Sequence, residues 1–92
     1  MTGAGRTHPQ ARPDVQARAM ADGSWLLIDP AHGISHAINA TAAFIWQRCD
    51  GRHSVADMST ALQHAFEASP EVVQGDVERL LLQFSELGLL AS

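Results

Sequence analysis

The chain has no lysine and no tyrosine, and its one cysteine is Cys49. A lone cysteine excludes an internal disulfide and any zinc site built on cysteine pairs. Without lysine, the cations are six arginines, set against ten acids. Arg6 and Arg12 fall within the first thirteen residues, so the remainder carries four arginines and ten acids, a formal charge of −6. A body of that sign repels phosphate backbones, which argues against a nucleic-acid partner and suits a basic or neutral one. No apolar run approaches the roughly 20 residues of a membrane span. The opening MTGAGRTHPQARP lacks the apolar stretch of a secretory signal. The reading is therefore a cytoplasmic protein with no membrane partner.

What is present is enough for one globular domain. At 92 residues, with 46% hydrophobic and 17% charged, the chain is ordinary for a soluble fold. A chain of this size buries roughly 60–65% of its unfolded surface, so the core is modest. Residues 1–13 are rich in Gly, Ala, Pro, Thr and Arg without apolar periodicity, and read as a disordered tail before a domain over 14–92.

Residues 15–20 form a weak strand pattern, and Asp22-Gly23 is a turn pair. Residues 24–28 (SWLLI) are short, bulky and apolar, which fits a buried strand. Asp29-Pro30-Ala31-His32-Gly33 is a hairpin signal: proline presets the first turn position and glycine permits positive φ. A third strand follows over 34–38, with Ile34, His36 and Ile38 on one face and Ser35 and Ala37 on the other.

Asn39 then turns strand into helix, because its side chain can cap the first turn. Helix one spans about 40–49, with Ala42, Ile45, Trp46 and Cys49 as a single apolar stripe, and Asp50-Gly51 ends it. Ser54, with Asp57 three residues on, starts helix two, whose buried face is Val55, Met58, Leu62, Ala65 and Phe66. Ser69-Pro70 opens helix three, lined by Val73, Val77, Leu80, Leu81, Phe84 and Leu87. Gly88 terminates it, and Leu89 and Leu90 fold back. The fold class is α+β and winged-helix-like: a three-stranded antiparallel sheet followed by a three-helix bundle.

Catalytic chemistry is sparse. Gly3-Ala4-Gly5 has no strand before it and makes no phosphate loop. His32 and His36 sit in an extended hairpin with no third ligand in view, so neither metal nor cofactor is implied. Cys49 lies on a core stripe with no histidine to activate it, and reads as a small core residue. His53 and His64 flank helix two at the surface.

The run DGSWLLIDPAHGISHAINATAAFIWQRCDG, followed by SVADMSTALQHAFEASPEVVQGDVERLLLQFSELGLL, resembles the PqqD-like family of precursor-peptide recognition elements. The residues carrying the likeness are Ile38-Asn39, Thr41-Ala42-Ala43 with Ile45-Trp46, and Cys49-Asp50-Gly51. Asp76-Val77 and the closing Gly88-Leu89-Leu90 complete it. The likeness spans about residues 22–90. The family commonly has leucine where this chain has Ile38.

The resemblance implies a non-catalytic adaptor that binds the leader of a ribosomal precursor peptide. The leader adds as a strand along the third strand, in a groove against helix three, and is presented to a modifying enzyme. In pyrroloquinoline quinone biosynthesis that enzyme is a radical S-adenosylmethionine enzyme. The implied contacts are Ile34, Ser35, His36, Ala37 and Ile38 on the strand. On the helix they are Asp76, Leu80 and Gln83, with Val77 and Phe84 beside them. An exposed strand edge has unpaired backbone groups that a peptide can satisfy. With tyrosine absent, any aromatic contact falls to Trp, Phe or His.

Two other readings are open to the sequence. Helix order alone allows a winged-helix DNA-binding regulator, but residues 69–92 carry only Arg79 against four acids. An enzyme or carrier domain would need a catalytic set or an attachment serine in a recognisable setting.

Overall fold

A computed structural model describes residues 8–91. The elements run β1 (Gln16–Ala19), β2 (Trp25–Asp29), β3 (Ile34–Ile38), α1 (Ala40–Trp46), α2 (Val55–Phe66) and α3 (Pro70–Glu86). The strands form one antiparallel sheet in the order β1-β2-β3. The architecture is thus the α+β, winged-helix-like one expected, a three-stranded sheet followed by three helices. Among the described residues, no helix is long and apolar enough to cross a membrane.

Alternation along β2 decides which sheet face packs. Leu27 and Asp29 are buried, while Leu26 and Ile28 are half-buried on the opposite face. Leu27 joins Ala42, Ile45, Trp46, Cys49, Met58, Leu62, Val73, Val77, Leu81, Phe84 and Leu89 in one core. Trp46 and Phe84 meet edge to face with ring centroids 5.3 Å apart, the arrangement favoured by the ring quadrupoles.

Local signals explain the element ends. Ser54 Oγ accepts the Asp57 N–H and Asp57 Oδ2 accepts the Ser54 N–H, each at 3.0 Å, a complete capping box. Helix α1 is shorter than the expected 40–49. The Arg48 and Cys49 amides donate to Ile45 and Trp46 carbonyls three residues back, tightening the chain out of the α-helix while keeping Cys49 on the core stripe. Ala65 and Phe66, expected in the core, are exposed instead. The last turn of α2 overhangs the body, and Phe66 packs edge-on against Phe44 at 5.6 Å, with the Arg48 guanidinium 3.6 Å over the Phe44 ring.

The expected disordered tail over 1–13 needs correction from residue 9 onward; residues 1–7 lie outside the described set. Pro9 is buried, and residues 9–12 run between the 49–51 turn and the C-terminal stretch. The Ala11 N–H donates to the Cys49 carbonyl at 2.7 Å and the Arg12 N–H to the Leu89 carbonyl at 3.0 Å. The Ala91 N–H donates to the Gln10 carbonyl at 2.7 Å, and the Gly51 N–H to the Pro9 carbonyl at 3.0 Å. Gly51 has φ +79, and a Cβ there would come within 3.2 Å of the Gln10 side chain, so glycine serves both the turn and this close approach. Backbone pairing of this kind leaves no apolar periodicity to read.

Arg12 anchors the same segment. Its guanidinium bonds both oxygens of Asp29, at 3.1 and 2.9 Å, and also reaches Asp14 and the Gly88 carbonyl. The Asp29 side chain is 0% exposed, and His32 Nδ1 lies 2.7 Å from its Oδ2. The Arg12 hydrogen bonds, and then that of His32, bring the Asp29 carboxyl down to about 2 from an ordinary value near 3.8. A buried carboxylate is tolerable there because it is paired on both oxygens.

Candidate functional site

The site follows from the way β3 ends the sheet. The Met20 N–H donates to the Ser24 carbonyl at 2.8 Å, which makes 20 and 24 a hydrogen-bonded pair. Hydrogen-bonded and non-hydrogen-bonded pairs alternate along an antiparallel ladder. With Ala17 opposite Leu27 and Leu27 opposite His36, that alternation turns His36 backbone groups toward β2. It turns those of Ser35 and Ala37 outward, to the free edge.

Beside this edge lies a cleft of about 470 Å³. Its walls come from β3 (Ser35, His36, Ala37, Ile38), from the junction (Asn39, Ala42) and from α3 and the turn after it (Leu80, Gln83, Phe84, Leu87, Leu89), with Leu27 from β2. Eight of the twelve lining residues are apolar and none is Asp, Glu, Lys or Arg, but polar atoms make up the larger part of the surface the cleft exposes. Asn39 sets its corner. The Asn39 Oδ1 accepts the Ala42 N–H at 2.8 Å, so the chain passes from strand to helix without a linker. That junction fixes the strand edge against α1, and the Trp46–Phe84 contact supports the cleft from behind.

Of the residues expected at the site, Ser35, His36, Ala37, Ile38, Leu80, Gln83 and Phe84 line this cleft. Ile34 does not line it and lies exposed at the start of β3. Asp76 is also outside the lining, one turn up α3, where it accepts from Arg79 at 2.7 Å. Val77 is corrected outright: at 0% exposure it belongs wholly to the core and has no surface to offer. Leu27, Asn39, Ala42, Leu87 and Leu89 line the cleft without having been expected there. Leu87 falls on the same periodic stripe as the core residues of α3, so spacing alone does not separate groove from core.

Cys49 and His53 have structural partners. Cys49 is buried, its thiol pushed up to about 12 by burial, and its Sγ lies 3.4 Å from the Ile45 carbonyl. His53 Nδ1 sits 3.0 Å from Asp50 Oδ1 and helps hold the Asp50 carboxyl near 2. Among the described residues, no group of three His, Cys, Asp or Glu side chains could hold a metal ion.

Comparison with known proteins bears on this geometry. The profile of the family described as Coenzyme PQQ synthesis protein D (PqqD) matches residues 24–90. No curated protein matches the chain. Among solved structures, the fold is similar to lasso peptide synthetase B1 complexed with the leader peptide, at 28% identity and a TM-score of 0.77, covering 92% of this chain and 99% of that one. It is similar to TbiB1 in complex with the TbiA(beta) leader peptide, at 17% identity and a TM-score of 0.76, covering 90% and 95%. It is also similar to the PqqD truncation of Methylobacterium extorquens PqqCD, described as a stand-alone recognition element for ribosomally synthesised and post-translationally modified peptides. That likeness is at 18% identity and a TM-score of 0.76, covering 97% and 94%. The family profile spans most of the chain, from the first residues of the hairpin to the stretch that closes the core, and on that ground the chain belongs to the PqqD family.

Proposed function

We propose that this protein is a non-catalytic adaptor that binds the leader of a ribosomal precursor peptide as an added strand on β3 and presents it to a modifying enzyme. The observation that carries this reading is an open strand edge beside a cleft that mixes apolar side chains with polar groups. Outward backbone groups at Ser35 and Ala37 supply affinity indifferent to sequence, and the cleft supplies preference. A groove whose backbone is already in place leaves most of the ordering cost on the peptide. Family membership and the two leader-peptide complexes among its structural likenesses support the same reading.

The modifying enzyme is proposed to be of the radical S-adenosylmethionine type, acting in the cytoplasm where the precursor is translated. Pyrroloquinoline quinone biosynthesis is the pathway the family description favours. The two structures solved with leader peptides support leader binding without supporting that pathway. The duplex-binding reading gains no ground: α3 carries a single arginine, Arg79, tied to Asp76 at 2.7 Å.

The test is an amide NMR titration with the short precursor peptide encoded nearest the gene. Shifts should concentrate on residues 34–39 and 80–89. Saturating shifts spread over β1, or shifts produced instead by duplex DNA, would overturn the reading.

A further inference from the structure

His36 is the one cleft residue whose chemistry is left over. Its ring is half-buried on the helix-facing side of β3, and its Nε2 atom is buried with no hydrogen-bond partner among the described residues. Buried polar atoms in folded proteins are nearly always paired, and leaving one unpaired is unfavourable. The surroundings offer it little. Leu27 stands opposite on β2, and Ile38, Leu80, Phe84, Leu87 and Leu89 are among the apolar residues of the lining.

We infer that His36 Nε2 is a specificity determinant that accepts or donates one hydrogen bond to a hydroxyl side chain (Ser, Thr or Tyr) on the bound peptide strand. This rests on the adaptor reading and deepens it. A strand added antiparallel, as the rest of the sheet is, would pair through the outward groups of Ser35 and Ala37. The peptide residue opposite His36 is then a non-hydrogen-bonded pair, the kind in which side chains approach most closely, and its side chain shares the His36 face. The residue two places before it, opposite Ile38, also faces the helices and meets the cleft lining, whereas the one two places after it stands opposite the exposed Ile34. The recognised pattern is therefore apolar, any, hydroxyl.

A hydroxyl is favoured over other polar groups for three reasons. It can donate or accept, so it satisfies Nε2 whether or not that nitrogen carries a proton. It brings a single polar oxygen beside the apolar side chains that surround His36, whereas an amide brings two polar atoms that both need partners. A carboxylate would enter a lining with no Lys or Arg to meet it. Access comes from the α3 side, where Gln83 and Leu87 are exposed and free to turn.

The experiment is selection of a displayed library of random peptides of roughly 10 residues, a strand's length, on the full 92-residue chain. It is repeated on His36→Leu and His36→Gln, with amide spectra confirming that each variant is folded. The wild-type chain should enrich Ser, Thr or Tyr at one register position with an apolar residue two places before it. In a synthetic winner, replacing Thr by Val should weaken binding about tenfold on the wild type. The same replacement should change nothing on His36→Leu, while His36→Gln, which retains a polar group near the Nε2 position, keeps part of the preference. Enrichment of Asp, Glu, Asn or Gln there, only apolar residues, or an equal Thr-to-Val loss on His36→Leu would overturn the inference while leaving the adaptor intact. Enrichment of no peptide at all would remove the adaptor reading itself.

Discussion

The sheet has two open edges, and they differ in what lies beside them. Along β1, Gln16, Ala17, Arg18 and Ala19 are all exposed, so side chains on both faces of that edge meet solvent. Along β3, the helix-facing residues His36 and Ile38 are half-buried and open onto the cleft shared with α3. The ladder alternation gives both edges the same outward backbone groups, at Ala17 and Ala19 on one side and at Ser35 and Ala37 on the other. Unpaired backbone is therefore common to the two edges and cannot by itself choose between them. Choice comes from side-chain pockets on one flank, which turn an aggregation-prone edge into a selective one.

The largest effect should come from removing the cleft's support. Phe84 is almost fully buried, lines the cleft and stacks on Trp46, so Phe84→Ala should cost about 3–5 kcal/mol of stability. For a domain this small that is a large share of the total, and thermal unfolding should show it directly. The two edges can then be separated by proline. Ala37→Pro removes an outward N–H without touching the β2 ladder, and should weaken leader binding by about 100-fold, whereas Ala17→Pro, its counterpart on β1, should leave affinity unchanged in the same titration. Equal losses from both would mean that the β3 edge is not where the peptide pairs. A smaller contrast lies at the cleft's lip. Leu87 is 40% exposed, so Leu87→Ala should cost under about 1 kcal/mol of stability. Calorimetric affinity should nevertheless fall about tenfold if a peptide buries that side chain, while Val72→Ala, exposed on α3 outside the cleft, should alter neither.

The strands, helices and caps were legible because each has a local cause. Asn39, Ser54 and Pro70 mark helix starts by chemistry confined to a few residues, and the 34–38 strand by its boundaries of Gly33 and Asn39. The cleft was legible in part, since β3 and α3 were named, yet Val77 and Leu87 exchanged roles. Both fit one apolar spacing, yet Val77 is enclosed inside α3 while Leu87, at the cap just past its end, is 40% exposed, and spacing alone does not show that difference. The N-terminal segment was illegible for another reason. Residues 9–12 are held by backbone bonds to 49–51 and 89–91 and by the Arg12–Asp29 pair, contacts that span most of the chain and leave no periodic trace.

That pair supplies the effect least visible at neutral pH. Asp29 has its carboxyl lowered to about 2 in the folded chain, chiefly by Arg12, from about 3.8 otherwise. A lowered native value means that the unfolded chain takes up the proton first as pH falls. The stability it contributes is therefore fully present above about pH 4 and is lost progressively between there and about pH 2. Asp50, lowered to about 2 by His53, acts in the same window and the same direction. Unfolding free energy followed by denaturant titration should be flat with respect to these groups from pH 7 to 5 and drop on the acid side. Asp29→Asn should lower stability at neutral pH and shallow the acid limb, because its proton uptake is gone while that of Asp50 remains. An unchanged acid limb in that variant would mean that the Arg12 contact does not hold the Asp29 carboxylate in solution. The tie between the N-terminal segment and the sheet would then rest on the backbone bonds of residues 9–12 alone.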